Sequence, residues 1–206
     1  MCNMKAALQK RFGDHRVLDV PTKEGEVPLL IVDLELKSPV TLIVTNGLSN
    51  YTMTVPEKVA GRENIELYFC LPSYWEWEDA DNPRMSWPFE WIQHLAKYLT
   101  EKKTWFGAGH TFPCGEEGAT ISTSMKQDFF ILLDPMLLEA ELAPIQVEGK
   151  TVHFLSIVPL YKKEFEYKQS RGTFKLLDKM INHGVTEKLD DFRGSVLKKR
   201  WGLGRH

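Results

Sequence analysis

Cysteine is scarce in this chain: Cys2, Cys70 and Cys114 are too few and too scattered for a disulfide framework, and no C-x-x-C pair occurs. That excludes a small stapled scaffold and fits a reducing compartment. A signal-type apolar run is missing from the N-terminal stretch MCNMKAALQKRFGD, and no apolar segment precedes Cys2 as a lipoprotein signal requires. Apolar runs elsewhere are broken by charge well short of the ~20 residues that cross a bilayer. The expected location is therefore cytoplasmic, with no membrane partner. Strong charge of either sign is absent too, the formal net charge being −2. Such a balance sets up no general field toward nucleic acid, and none is expected as a partner. Internal repeats, low-complexity tracts and linkers rich in Pro, Gly or Ser are lacking as well.

What the chain does have is tryptophan in one place. Five of its six tryptophans fall between Trp75 and Trp105. Each large aromatic buries roughly 150–250 Å² when packed, so this stretch is either a packing hub or a set of contacts for a partner. With 206 residues and 43% hydrophobic content, the chain is long enough for one large domain. We expect a single domain over residues 1–190 and a basic tail over 191–206, carrying Lys198-Lys-Arg200.

Periodicity sets the order of elements. Residues 4–12 read as a short helix stopped by Gly13, and 15–20 as a first strand ended by Pro21. Over 29–36, Leu30, Val32, Leu34 and Leu36 share one face while Asp33 and Glu35 share the other, which predicts a half-buried strand. Residues 40–45 form its hairpin partner, and Asn46-Gly47 turns the chain into an ordered loop. The run 65–71 is almost wholly apolar and reads as a central strand covered on both faces.

A helix then opens near Ser86 as cap, with Pro88 in the first turn, and Trp91, Ile92, Leu95, Tyr98 and Leu99 recur at helical spacing as a wide apolar stripe. Residues 129–133, 145–147 and 152–158 are strands, the last two joined by a turn at Glu148-Gly149-Lys150 and the third ended by Pro159. Helices follow over 161–168 and 173–183, the second burying Phe174, Leu177, Met180 and Ile181 and stopped by Gly184. The fold class expected is α+β, in the order α-β-β-β-β-α-β-β-β-α-α, with one mixed, largely antiparallel sheet covered by helices.

Catalytic and metal signals are thin. The loop Trp105-Phe-Gly107-Ala-Gly109-His110 lacks the third glycine of a phosphate cradle and follows a helix, so it reads as a structural loop whose glycines let the aromatics pack. His110 and Cys114 stand four apart, but His94, His153 and His183 are not paired at ligand spacing, and a zinc site wants about four ligands. No metal and no cofactor is expected. There is no G-x-S-x-G. Cys70 reads as a core residue, and Cys114 is the thiol left open to solvent. Glu116, Glu117 and Asp128 supply acid–base pairs of no specificity in a chain with 28 carboxylates. No catalytic residue is assigned. An enzyme built on the His110 loop stays open as an alternative.

The acidic loop carries more. Trp75, Glu76, Trp77, Glu78 and Asp79 read either as a solvated loop over two tucked rings or as aromatic anchors ringed by carboxylates. The second reading suits a basic protein partner, since Trp and Tyr are enriched at binding hot spots. Tyr161 and Glu164, near Phe165 and Glu166, form a second surface of the same character, or simply the exposed face of a helix.

Several segments taken together resemble the suppressor of fused family. They are Val44-Thr-Asn-Gly-Leu-Ser49, Ile65-Glu-Leu-Tyr-Phe-Cys-Leu-Pro72, Trp87-Pro-Phe-Glu-Trp91 and Trp105-Phe-Gly-Ala-Gly-His-Thr111. Phe154-Leu-Ser-Ile-Val-Pro-Leu-Tyr161 with Glu164, and Phe174-Lys-Leu-Leu through Asn182-His-Gly-Val185, complete the set. The resemblance implies a single α/β domain with a mixed sheet under helices and no enzyme activity. Animal members regulate Hedgehog signalling by sequestering a transcription factor, with the peptide held between this domain and an additional C-terminal one. The compact length resembles bacterial members, and it implies an immunity protein that neutralises a toxin of a polymorphic or contact-dependent system. A regulator or scaffold acting by sequestration is the alternative. The stretch 76–83 and the basic tail match no family motif, and the oligomeric state is not legible.

Overall fold

A computed structural model of the chain describes residues 4–13, 16–79, 81–116 and 119–197. Among them are strands β1 Val17–Val20, β2 Leu29–Leu34, β3 Val40–Thr45 and β4 Asn64–Pro72 in the first half. Strands β5 Thr111–Pro113, β6 Phe129–Leu133, β7 Ile145–Val147 and β8 Lys150–Leu160 follow in the second half. The helices are α1 Met4–Phe12, α2 Pro83–Glu101, α3 Lys162–Arg171 and α4 Thr173–Asn182. All strands join one sheet in the order β1-β2-β3-β4-β8-β6-β5, with β7 paired to the start of β8. Only β4 and β8 run parallel; the other named strand pairs are antiparallel. The mixed, largely antiparallel sheet under helices is therefore what the chain forms. One strand is additional to the expected order. β5 has three residues, too few to show a period, and exists only because β6 lies alongside.

Helices on both sides bury both faces of the sheet. Leu29, Ile31, Ile43, Leu67 and Phe69 meet α2 through Trp87, Ile92, Leu95 and Leu99. On the reverse face, Leu30, Val32, Leu42 and Tyr68 meet Met4 and Leu8 of α1. The far half of that face packs Ile131, Leu133, Val158 and Leu160 against Leu176 and Met180 of α4. Strand β2 is thus covered on both sides, not half-buried, because α1 covers the Leu30–Val32–Leu34 face while α2 covers the Leu29–Ile31 face that Asp33 had marked as open. Nine residues make a marginal helix by themselves. Burial of Met4 and Leu8, each contributing about 1.5–3 kcal/mol, holds α1 in place.

Three further expectations are corrected. Helix α2 is capped by Asn82, whose side chain accepts from the Arg84 N–H at 3.1 Å, and Pro83 is its first residue. Asn-Pro outcompetes Ser86, because proline's missing N–H falls among groups that have no partner inside the helix. Pro88 accordingly lies within the helix. Strand β8 runs through Pro159 to Leu160. The β4 pairing has stopped at Ser156, so no ladder on that edge asks for the absent N–H. In α4, Leu176 and Met180 are buried, whereas Phe174 is 89% and Ile181 62% exposed. The short link at Gly172, with φ +88°, sets the roll of α4 on α3 and turns Phe174 and Ile181 outward, while Leu177 and Met180 of the expected stripe pack on the core.

The packed body also extends past residue 190. Val196 is buried in the third cluster, and the Leu189 N–H donates to the Cys70 carbonyl at 2.8 Å. Residues 198–206, with the basic run, lie outside the described residues, as do Cys2, His15 and Glu117. No helix among the described residues is long and apolar enough to cross a membrane.

Candidate functional site

After β4 the chain descends through consecutive turns, Trp75 N–H to Pro72 O, Trp77 N–H to Trp75 O and Asp79 N–H to Glu76 O. The tightness of these turns gives the two indoles different environments. Trp75 points inward: it is 5% exposed, its Nε1 donates to the Met85 carbonyl at 2.9 Å, and its ring stands edge-on to Trp87 at 6.0 Å. Trp87 in turn meets Phe69 at 5.3 Å. Trp75 is therefore a core residue joining the loop to α2, and the expectation that it touches a partner is corrected. Trp77 remains half-buried, packed on the same core with its outer side open. Glu76, Glu78 and Asp79 are exposed.

Trp77 forms one wall of a groove of about 440 Å³. The end of β1 brings Val20, the connection after it Pro21, β2 brings Leu29, and the first half of α2 brings Phe89. The same groove holds the carboxylates of Glu26, Glu78 and Glu90 and one ammonium, Lys23. Its floor is pinned by Gln93, whose amide accepts from the Val27 N–H at 3.0 Å and donates to the Val27 carbonyl at 2.7 Å. Neither Glu78 nor Glu90 has an ion-pair partner among the described residues.

The second predicted surface is built the opposite way. Glu164 has no exposed surface. Its carboxylate accepts from Arg193 Nη1 at 2.9 Å and Nη2 at 2.8 Å, from the Val196 N–H at 2.8 Å and from the Tyr161 N–H at 3.1 Å. Burial pushes this carboxyl up, but the Arg193 hydrogen bonds and charge outweigh it and hold it below the ordinary range. Glu164 is thus corrected from partner contact to internal anchor. Tyr161 stays half-buried, donating its hydroxyl to the Arg193 carbonyl at 2.6 Å. It opens on a cleft that also holds Arg84, Lys126 and Arg193, cationic where the composition predicted acid.

Two more buried carboxylates act as loop anchors that the sequence reading missed. Glu66 accepts from the N–H groups of Gly47, Leu48 and Ser49 and from the hydroxyls of Thr45 and Ser49. Burial raises its pKa against those hydrogen bonds. Glu187 accepts from the N–H groups of Met136, Leu137 and Leu138. A lone glutamate inside the apolar run 65–71 was the available signal for the first.

The glycine loop is structural in its geometry. A Cβ on Gly107 would stand 2.8 Å from the Trp105 ring, and Gly109 adopts φ +90° with its N–H on the Leu132 carbonyl at 2.7 Å. His110 stacks edge-on against Trp105 at 4.2 Å. Burial, then Lys168 and Lys58, lower its pKa and favour the neutral ring. A groove of about 350 Å³ takes in His110 and Lys168 but not Cys114. Cys114 is buried, not open to solvent, and burial pushes its thiol pKa up. The two residues of the enzymatic alternative are not brought together. Among the described residues no group of three His, Cys, Asp or Glu side chains has metal-binding geometry.

The fold is a three-layer α+β domain with helices on both faces of a mixed sheet. A family model described as Suppressor of fused protein (SUFU) matches residues 25–193, and the chain belongs to that family. Among solved structures it is similar to a SUFU homolog from Neisseria gonorrhoeae FA 1090, with a TM-score of 0.67 at 17% identity over 94% of each chain. Drosophila Suppressor of Fused gives 0.66 at 19% identity, covering 94% of this chain and 50% of that one. Sufu in a Sufu–Fu complex gives 0.64 at 19% identity, over 94% and 90%. No curated protein matches the chain.

Proposed function

We propose that this chain is a non-enzymatic protein-binding domain of the immunity type, which captures a bacterial toxin domain in the cytoplasm and neutralises it. The observation that carries the reading is the groove beside Trp77, an aromatic-walled hollow whose Glu78 and Glu90 carboxylates have no ion-pair partner among the described residues. Interfaces concentrate binding energy in such half-exposed tryptophans surrounded by polar rims. Glu76 and Asp79 extend the rim, and Tyr161 offers a neighbouring contact across the start of α2. Trp75 and Glu164 act from beneath, by holding these residues in place. The similar N. gonorrhoeae structure has the same compact extent.

Co-expression with the toxin domain encoded beside it tests this directly. Growth should return, and the two chains should elute as a one-to-one complex. Continued killing with no complex would sink the proposal. A second reading, sequestration of a regulatory protein, is favoured by the Sufu–Fu complex among the similar structures. It predicts a partner that is harmless when expressed alone. The His110→Ala protein should rescue growth as well as the parent, because His110 sits in a packing loop.

A further inference from the structure

Resting on that protein-binding reading, we propose that the groove beside Trp77 seats an arginine of the partner, flanked in its chain by an apolar residue. Three features converge on this chemistry. The first is size, since about 440 Å³ lies in the range that takes a few side chains or a small ligand. The second is the wall: Val20, Pro21, Leu29, Trp77 and Phe89 are apolar, and an indole face attracts a cation placed within about 6 Å of its centre.

The third is charge. Glu26, Glu78 and Glu90 face one ammonium, Lys23, which leaves an excess of carboxylate. The fully buried carboxylates Glu66, Glu164 and Glu187 each accept three or more hydrogen bonds. In the groove, among the described residues, Glu26 accepts only from the Lys23 N–H at 2.8 Å, and Glu78 and Glu90 have no ion-pair partner. An anionic ligand would meet repulsion, and a wholly apolar one would strip water from Glu78 and Glu90 with nothing in return. Arginine answers both demands, because its flat guanidinium stacks on an aromatic ring while its edge forks to carboxylate. Lysine would supply the charge without the stacking plane. The adjacent apolar side chain then fills the Val20–Pro21–Leu29 wall.

The test uses the full chain, isotope-labelled, titrated with acetyl-Gly-Leu-Arg-Leu-Gly-amide and followed by the Trp77 indole N–H resonance, assigned through Trp77→Phe. A saturating shift is expected. The citrulline counterpart, equal in shape but uncharged, should bind about tenfold more weakly or worse. Glu78→Gln/Glu90→Gln should erase that difference while leaving the unfolding midpoint in place. Absence of any shift at millimolar peptide overturns the proposal, as does equal binding of the citrulline peptide. Equal binding of free arginine overturns it in favour of a small-cation site. A chain ending at Leu197 whose Trp77 resonance already differs from the full chain overturns it in favour of the protein's own basic tail.

Growth rescue separates the two readings. Rescue that survives Trp77→Ala with Glu78→Gln/Glu90→Gln leaves toxin binding standing and removes the groove. Peptide binding without rescue does the reverse.

Discussion

In the groove beside Trp77, carboxylates stand open around an aromatic ring; around Tyr161, the same residue types are folded shut. Both surfaces are acidic and aromatic in composition. Glu78 lies on a loop that Trp75 ties down from below, so its carboxylate is left facing water. Glu164 lies in the first turn of α3, where the stretch carrying Arg193 and Val196 crosses it and supplies three of its hydrogen bonds, the Tyr161 N–H adding a fourth. Unpaired charge in contact with water costs little and remains available for recognition. A buried charge must be matched in place. The first region is therefore suited to binding and the second to holding the C-terminal stretch against the sheet.

That contrast can be broken from its strongest side first. Arg193→Ala leaves Glu164 buried without its cation and should lower stability by about 3–5 kcal/mol in urea unfolding. A loss under about 1 kcal/mol would mean the pair behaves like a surface bridge and that the comparison fails. Trp75→Ala, which empties a core position against Trp87, should cost about 3 kcal/mol by the same measurement, while growth rescue persists in cells kept cool enough for folding.

Acid sharpens the comparison next. Unfolded, Glu164 titrates near about 4.3, and folded it titrates lower. Its contribution is therefore fully present above the unfolded value and is lost as pH falls through the folded one. Glu66 has the opposite sign: its raised pKa favours the folded state at low pH and loses that preference as pH rises through the folded value. Glu164→Gln should accordingly flatten the acid limb of a stability–pH curve, and an unchanged limb would refute the assignment. The smallest effects belong to the groove. Trp77→Ala should cost at most about 1 kcal/mol and Glu78→Gln within about 0.5 kcal/mol, yet both should weaken partner binding. Large destabilisation by either would mark that residue as part of the scaffold.

Much of the fold was legible because its signals are local. The alternation in β2, the apolar run of β4, the Gly13 and Gly184 stops and the Glu148-Gly149 turn each depend on neighbours a few residues away. The two-sided burial of β2 was not legible, since Asp33 is half-buried beside Thr41 and gives no hint that α2 covers the face it shares with Leu29 and Ile31. The same holds for α4, where amphipathic spacing was real but its roll was set by how α3 and Gly172 deliver it to the sheet. Among the residues expected to meet a partner, Trp77 and Glu78 line the groove, the first half-buried and the second exposed. Trp75 and Glu164 are buried, and Glu26, Phe89 and Glu90 join the groove from segments that composition alone does not connect to it.

By itself, then, the amino-acid order determined where strands, helices and turns form, because backbone preference and side-chain period act over one or two turns. It also determined that carboxylates and aromatic rings would sit side by side near Trp77 and near Tyr161. Which of those carboxylates meets water was decided only in the folded chain. Arg193 reaches Glu164 across 29 residues of sequence, and no comparable cation reaches Glu78 among the described residues. Exposure depends on what arrives from far along the chain, and that arrival is set by packing.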